Sequence, residues 1–327
     1  MSRTPARPAP EPGGPVLDSS RPDVRARGTG HAPSHHGELL QGCFPDRTTG
    51  ARRNGLVTLR LDEPRTGAEF RPDPALRPGE VRVVPEDRVN TALAAATAVR
   101  VCARLTGRAV VGGRVLLSGG VPVGLGMGSS TSDLIAAVRA VADAYRISLG
   151  AQEVADLAVG VESASDPLML DARPVLFAQR EGAVIEVLGE RLPPLVVLGC
   201  LTGGGAAVDT AALPVDDYTD AEVAEFAALR EEVRRAVRLG DPVLLGRVCT
   251  RSALLNQRRL PKAELPALLG AADRAGAVGV QVAHSGNVAG VLFRADRAGS
   301  RTRAAECARL LARDGVPVTG VFDAPGC

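Results

Sequence analysis

The chain of 327 residues carries two spacings of hydrophobic positions, and each predicts one kind of secondary structure. Every second residue is apolar at Val57, Leu59 and Leu61, which predicts a half-buried strand over residues 54–61. Similar runs predict strands over residues 81–84, 109–118, 174–179, 183–188, 195–200, 279–283, 288–293 and 316–321. Apolar residues three or four positions apart predict helices over residues 89–105, 133–145, 151–161, 221–239, 242–257, 265–275 and 302–313. The mixture predicts an α/β or α+β fold.

The pattern also divides the chain. Residues 1–28 are rich in Pro, Arg, Gly and Ser without an apolar run, so we expect a disordered tail. The apolar segment of roughly 7–15 residues that a signal peptide needs is missing there, and a run of about 18 apolar residues for a membrane span is not found either. A change of pattern near residue 190 predicts an N-terminal domain over residues 29–190 and a C-terminal domain over residues 191–327.

Two segments stand outside these regular patterns. Residues 31–44, HAPSHHGELLQGCF, are polar and predict a loop. Residues 122–132, PVGLGMGSSTS, place glycines at alternating positions between a predicted strand and a predicted helix. Such a turn can wrap an anion, because backbone N–H groups and the helix dipole face it. A P-loop is excluded, since it requires a lysine next to the Ser and Thr residues and Lys262 is the only lysine in the chain.

Composition narrows the class of protein further. Hydrophobic residues make up 45% of the chain, enough for a core, whereas aromatic residues make up only 2% and the net charge is +2. This balance predicts neither nucleic acid nor a membrane as a partner. The six cysteines are scattered, which disfavours a disulfide framework or a zinc site and is typical of reduced thiols in the cytoplasm. The four histidines are too few and too dispersed to predict a metal cluster.

Four motifs resemble one known superfamily, the GHMP kinases. The segment from Pro122 to Ser130 resembles their ATP loop, with Met127 where the family has Leu. Residues 33–42, PSHHGELLQG, resemble a signature of the L-threonine kinases that serve cobalamin side-chain synthesis, with His36 in place of the cysteine. Residues 253–262 and 279–286 resemble the same subfamily. The resemblance extends over about residues 31–295, with the motifs in the family's order.

The resemblance implies an α+β fold built from two-layer α/β sandwiches. The N-terminal domain would be similar to ribosomal protein S5 domain 2 and the C-terminal domain would be ferredoxin-like, with ATP and the acceptor in the cleft between them. It also implies Mg²⁺ as a cofactor. The residues expected to hold ATP are Pro122, Gly124, Leu125, Gly126, Met127, Gly128, Ser129, Ser130 and Thr131.

Phosphoryl transfer requires charge neutralisation and in-line positioning. By resemblance, Glu162 and Ser130 would hold Mg²⁺, and Ser130 is also expected to act in catalysis. Asp166 is the candidate to orient or deprotonate the acceptor hydroxyl; its alternative role is a turn residue before Pro167. The spacing from Glu162 to Asp166 is one residue longer than in the family. The residues expected to face the acceptor are Ser34, His35, Glu38, Gln41, Arg258, His284 and Ser285.

Three functions follow from these features. The first is an ATP-dependent kinase that phosphorylates the side-chain hydroxyl of a small amino acid, L-threonine foremost. The second is a kinase for another hydroxyl acceptor, such as serine, homoserine or an intermediate of specialised metabolism, which the change at His36 motivates. The third is an ATP-binding regulator without catalysis, which the spacing from Glu162 to Asp166 motivates. The sequence leaves the oligomeric state open, with a homodimer as one option.

Overall fold

The computed structural model describes residues 27–47, 49–123, 125–203, 218–284 and 286–324. The strands are β1 (Gly28–Pro45), β2 (Arg52–Pro72), β3 (Val81–Val84), β4 (Gly113–Gly119), β5 (Val175–Ala178), β6 (Ala183–Val187), β7 (Leu195–Leu201), β8 (Gly279–Val282), β9 (Val288–Arg294) and β10 (Val318–Ala324). The helices are α1 (Val89–Thr106), α2 (Ser129–Ala144), α3 (Ala151–Glu162), α4 (Asp220–Leu239), α5 (Pro242–Leu255), α6 (Leu265–Arg274) and α7 (Ser300–Arg313). In the described ranges, no helix is long and apolar enough to cross a membrane.

One hydrogen-bonded sheet connects the two halves of the chain, in the order β10-β7-β9-β8-β1-β2-β4-β3. Strands β1 and β2 form a long antiparallel pair at its centre. Strand β8 pairs with β1 at Glu38 and Val282, which joins the C-terminal strands to the N-terminal ones. Strand β5 pairs with β2, and β6 pairs with β5. The division into domains near residue 190 stays a prediction, and it falls just before β7.

Three clusters of buried side chains stabilise this arrangement. The first lies between helices α1, α2 and α3 and the strands of the N-terminal half, and alanines dominate its helical side. The second packs α4 and α5 against β1, β2 and β7 around Phe44 and Phe226. The third packs α6 and α7 against β7, β8 and β9. With so few aromatic residues, the close approach of alanine-rich helices supplies much of the buried apolar surface.

Strand β1 corrects the prediction of a loop over residues 31–44, because this segment lies inside an 18-residue strand that is buried along most of its length. Its polar side chains are covered by neighbouring helices and strands, which no local pattern predicts. The register against β2 shifts between His35 and Glu38, and Gly37 in between has a φ of 66°. In a regular strand, residues three positions apart point to opposite faces. This bulge instead lets the side chains of His35 and Glu38 face the same cavity.

Helix α2 begins at Ser129, four residues earlier than the start predicted at Asp133. Gly128 precedes it with a left-handed φ of 71°. The Ser and Thr residues of the loop therefore lie in the first helical turn, and the start of the helix has no side-chain cap. This leaves the first backbone N–H groups and these hydroxyls together at the helix N-terminus.

Candidate active site

A cavity of about 570 Å³ lies between the glycine loop and strands of both halves of the chain. The glycine loop, residues 122–128, connects β4 to α2. Among the predicted site residues, those that line the cavity are His35, Glu38, Gly126, Gly128, Ser129, Ser130, Thr131, Glu162, Asp166 and His284. Gly124 and Ser285 lie outside the described residues. Residues more than 240 positions apart in the sequence thus meet in one site.

Contacts on two sides keep the glycine loop in place. The side chain of Met127 is fully buried in the second core cluster, and its carbonyl accepts a hydrogen bond of 3.2 Å from the backbone N–H of His35. A Cβ on Gly126 would lie 2.5 Å from the Cα of Gly286, and a Cβ on Gly128 would lie 2.3 Å from the His35 ring. Both glycines have positive φ, 82° and 71°. Larger residues therefore cannot occupy these positions without displacing their neighbours.

The remaining loop residues have supporting or exposed positions. Leu125 packs, partly buried, against the second core cluster. Pro122 is exposed and is not among the residues that line the cavity. Ser129, Ser130 and Thr131 lie in the first turn of α2 and line the cavity, where helix N–H groups favour an anion.

A carboxylate and a hydroxyl stand together beside this helix N-terminus. Glu162 is the last residue of α3, and one of its oxygens accepts hydrogen bonds from Ser130 Oγ and, at 3.4 Å, from Asn90 Nδ2. Burial raises the pKa of Glu162, although these hydrogen bonds and that of Thr131 oppose the rise. The carboxylate of Glu162 and the hydroxyl of Ser130 offer two oxygen ligands beside a helix end that favours anions. This arrangement suits Mg²⁺, which binds one or two protein oxygens together with phosphate oxygens.

Asp166, which is partly buried, forms a charge pair with the buried His35. The distance from His35 Nε2 to Asp166 Oδ2 is 3.1 Å, and Thr131 Oγ1 approaches the same oxygen at 3.5 Å. Burial lowers the pKa of His35, but the charge and hydrogen bond of Asp166 outweigh it and raise the pKa to about 9. Burial acts to raise the pKa of Asp166, yet His35 more than offsets this and lowers it. At neutral pH the pair is therefore an imidazolium and a carboxylate.

Glu38 and His284 form a second polar group in the cavity. Glu38 Oε2 accepts a hydrogen bond of 2.5 Å from the backbone N–H of His284, and burial raises the pKa of this carboxyl to about 7. Gln41 Oε1 lies 2.6 Å from His284 Nδ1. Because a Gln carbonyl oxygen can only accept, Nδ1 carries the proton. Burial lowers the pKa of His284 to about 4, so its ring is neutral at pH 7.

The other predicted acceptor residues lie behind the cavity or away from it. Ser34 and Gln41 are buried and are not among the lining residues; Ser34 Oγ donates to the carbonyl of Pro64 at 2.5 Å. Arg258 pairs with Glu222 of α4 at 3.0 Å, also outside the lining. His36 is fully buried, its ring is tilted by 42° against that of Phe322, and its Nδ1 lies 2.7 Å from Gln281 Nε2. The change at His36 therefore falls outside the cavity lining.

Several residues in or beside the cavity were not among the predicted site residues, and four of them carry polar side chains that bear on its chemistry. Asn90 at the start of α1, and Gln179 and Arg180 after β5, line the cavity. Lys262 is buried, and its Nζ donates to the carbonyl of Gly286 at 2.8 Å, where Gly286 packs on Gly126 of the glycine loop. Two signals could have drawn attention to Lys262: it is the sole lysine among 39 basic residues, and it lies in the motif of residues 253–262. The sequence around Asn90, Gln179 and Arg180 shows no comparable feature that would indicate a functional role.

Comparisons with known proteins show which family this chain resembles. Residues 90–177 match the model of the GHMP kinases N terminal domain, so the chain carries this domain and the resemblance to GHMP kinases is confirmed. In sequence it is similar to the L-threonine kinases of Salmonella typhimurium, 28% identical over 188 residues, and Citrobacter freundii, 28% identical over 185 residues. These matches cover 55% and 56% of this chain, and the chain spans 59% and 63% of the two relatives.

The fold is also that of a solved GHMP kinase. The structure of homoserine kinase from Cytophaga hutchinsonii matches with a TM-score of 0.64 and 14% identity, over 96% of this chain and 98% of that one. The predicted α+β class and GHMP kinase fold are thereby confirmed. The fold alone does not identify an acceptor, because it carries several different activities.

Proposed function

We propose that this protein is an ATP-dependent kinase that transfers the γ-phosphoryl group to the side-chain hydroxyl of L-threonine. The observation that carries the proposal is the shared cavity, in which the N-terminus of α2 lies beside the His35–Asp166 pair. Such a site can hold a triphosphate next to a hydroxyl acceptor. The similarity to L-threonine kinases supports the choice of acceptor, and a product O-phosphothreonine would then serve cobalamin side-chain synthesis, as the resemblance implies.

The phosphate end of the site would be formed by the glycine loop and the first turn of α2. Ser129, Ser130 and Thr131 add hydroxyl groups to the backbone donors there. Glu162 and Ser130 would hold Mg²⁺, which supplies neutralisation of the charge on the phosphate oxygens. Without a cation between them, the Glu162 carboxylate would repel the triphosphate, so the donor set fits a divalent ion better than phosphate alone.

A second, smaller cavity of about 250 Å³ adjoins this end of the site. It is lined by Asp87 and Arg88, by the first residues of α1, and by Val123, Ser129 and Ser130. Val89 and Val123 are 71% and 58% exposed, so their apolar surface is available to a ligand. We propose that these apolar side chains cover the nucleotide base, because a flat aromatic ring buries such surface well.

At the acceptor end, Asp166 would receive a hydrogen bond from the substrate hydroxyl. His35 keeps Asp166 ionised, so this carboxylate is a weak base whose main work is to orient the hydroxyl. In a loose transition state the proton leaves late, and a positioned carboxylate suffices to accept it. Glu38 would face the ammonium group of the amino acid, and that positive charge would favour its ionised form.

The test is turnover of a panel of hydroxyl acceptors with ATP and Mg²⁺. We expect ADP and O-phosphothreonine in equal amounts, with higher kcat/KM for L-threonine than for serine or homoserine. Turnover of a different acceptor in preference to threonine would refute the substrate and retain the kinase. ATP binding without ADP formation on any acceptor would identify a regulator. We do not favour that outcome, because Glu162 and Asp166 both line the cavity even though their spacing is one residue longer than in the family.

A further inference from the structure

The turn after β5 contributes an arginine to the acceptor end of the cavity. Gln179 and Arg180 line this cavity, and Arg180 is the one arginine that does so among the residues described. The carbonyl of Gln179 accepts a hydrogen bond of 2.9 Å from the backbone N–H of Ser165. The turn is thereby joined to the segment that carries Asp166.

Arg180 and His284 both line the cavity, and the charge of Arg180 acts on the His284 ring. After burial, the cations that help to lower the pKa of His284 are Arg259, Arg180 and Lys262. Because the hydrogen bond between Ser165 and Gln179 joins this turn to the segment of Asp166, we place Arg180 at the acceptor end of the cavity.

Gln179 adds an unused hydrogen-bond acceptor. Its side chain is only 8% exposed, and its Oε1 is buried without a partner within the described residues. A buried carbonyl oxygen left unpaired is destabilising, so a turn of this side chain toward a ligand donor in the cavity would remove the penalty. A substrate ammonium group carries three such donors.

We propose that Gln179 and Arg180 form the subsite that recognises the α-amino acid part of the acceptor. The guanidinium of Arg180 binds the α-carboxylate, for which its planar fork is suited, and Gln179 Oε1 accepts a hydrogen bond from the α-ammonium group beside Glu38. Arg258, which the sequence predicted to face the acceptor, does not line the cavity. This inference rests on the proposed function, since it assumes an amino-acid acceptor.

The experiment compares L-threonine with L-threoninamide, which keeps the hydroxyl and the ammonium group but lacks the carboxylate. Steady-state kinetics are measured for the wild type, Arg180→Met, Arg180→Lys and a control, Arg173→Met, whose arginine pairs with Asp171 at a more exposed position. We expect Arg180→Met to lower kcat/KM for threonine by about 30-fold or more, mainly through KM, because it removes one partner of a charge pair. Threoninamide should change by less than about threefold, and Arg180→Lys should restore part of the loss.

The outcomes separate the two proposals. An equal loss for threonine and threoninamide, or a rise confined to the KM for ATP, would overturn the subsite, and the latter would assign Arg180 to the phosphates. A wild type that phosphorylates neither compound would overturn the proposed function and this subsite with it. Selective loss of threonine turnover, with Arg173→Met unchanged, supports the subsite.

Discussion

Replacing Asp166 by Asn removes the negative charge that keeps a proton on His35 and preserves the size of the side chain. Burial by itself lowers the pKa of His35, and Asp166 is the main group that raises it to about 9 from the ordinary 6.5. At about 1.4 kcal/mol per pKa unit, the difference corresponds to about 3 kcal/mol. In the Asn variant, burial remains without the carboxylate, so the pKa of His35 should fall to 6.5 or below.

This shift has a defined signature in stability. Because the pKa of His35 is higher in the folded than in the unfolded protein, its contribution is fully present below pH 6.5 and is lost as the pH rises through about 9. The free energy of unfolding of the wild type should therefore decrease by about 3 kcal/mol over this range from His35 alone. The Asn variant should lack the decrease. Glu38, with its pKa raised from 4.5 to about 7, gives a separate decrease between those pH values.

Urea unfolding from pH 5 to pH 9.5, with an NMR titration of the histidine rings, measures both quantities. Asp171→Asn is the matched control, because Asp171 is an exposed partner of Arg173 near the same segment. A wild type whose stability is flat between pH 6.5 and 9, or an Asp166→Asn variant that keeps the decrease, would refute the charge pair.

Asp166→Asn should also lower kcat by about 100-fold with little change in the KM for ATP. Unchanged turnover would reduce Asp166 to a turn residue.

Three further substitutions test the rest of the site. Gly128→Val should abolish nucleotide binding and destabilise the fold by about 1–3 kcal/mol, since its Cβ would overlap the His35 ring; calorimetry measures both. Lys262→Met should raise the KM for ATP more than it lowers kcat, and should cost about 1–3 kcal/mol of unfolding free energy, because the carbonyl of Gly286 loses its buried donor. Glu162→Gln should raise the Mg²⁺ concentration for half-maximal activity about tenfold or more, measured by titration at fixed ATP.

Each of these has an outcome that contradicts it. The control for Gly128→Val is Gly160→Ala in α3, where nothing lies within 4 Å of the added Cβ, and it should behave as the wild type. If Gly160→Ala lost nucleotide binding or stability to a similar extent, the effect at Gly128 would not be specific to the glycine loop. An unchanged KM for ATP in Lys262→Met would exclude this lysine from supporting the glycine loop. An unchanged Mg²⁺ requirement in Glu162→Gln would remove this carboxylate from the metal site.

Local patterns predicted most of the secondary structure because each helix or strand buries one face and repeats its own period. The helix predicted over residues 89–105 is α1, Val89–Thr106, and the strand predicted over residues 288–293 is β9, Val288–Arg294. The pattern failed for residues 31–44, where a buried strand carries polar side chains. Ser34, His35, Glu38 and Gln41 are each buried, and their hydrogen-bond partners come from distant segments.

The amino-acid sequence by itself determined the order of helices and strands, the glycine loop at the start of α2 and the resemblance to GHMP kinases, since these depend on neighbours along the chain. Only the tertiary structure decided which polar groups act together. His35 meets Asp166 across 131 positions, and Lys262 meets Gly286 across 24. The reason is physical: a charge takes its pKa and its partner from burial and distance in the folded protein, and spacing along the chain specifies neither.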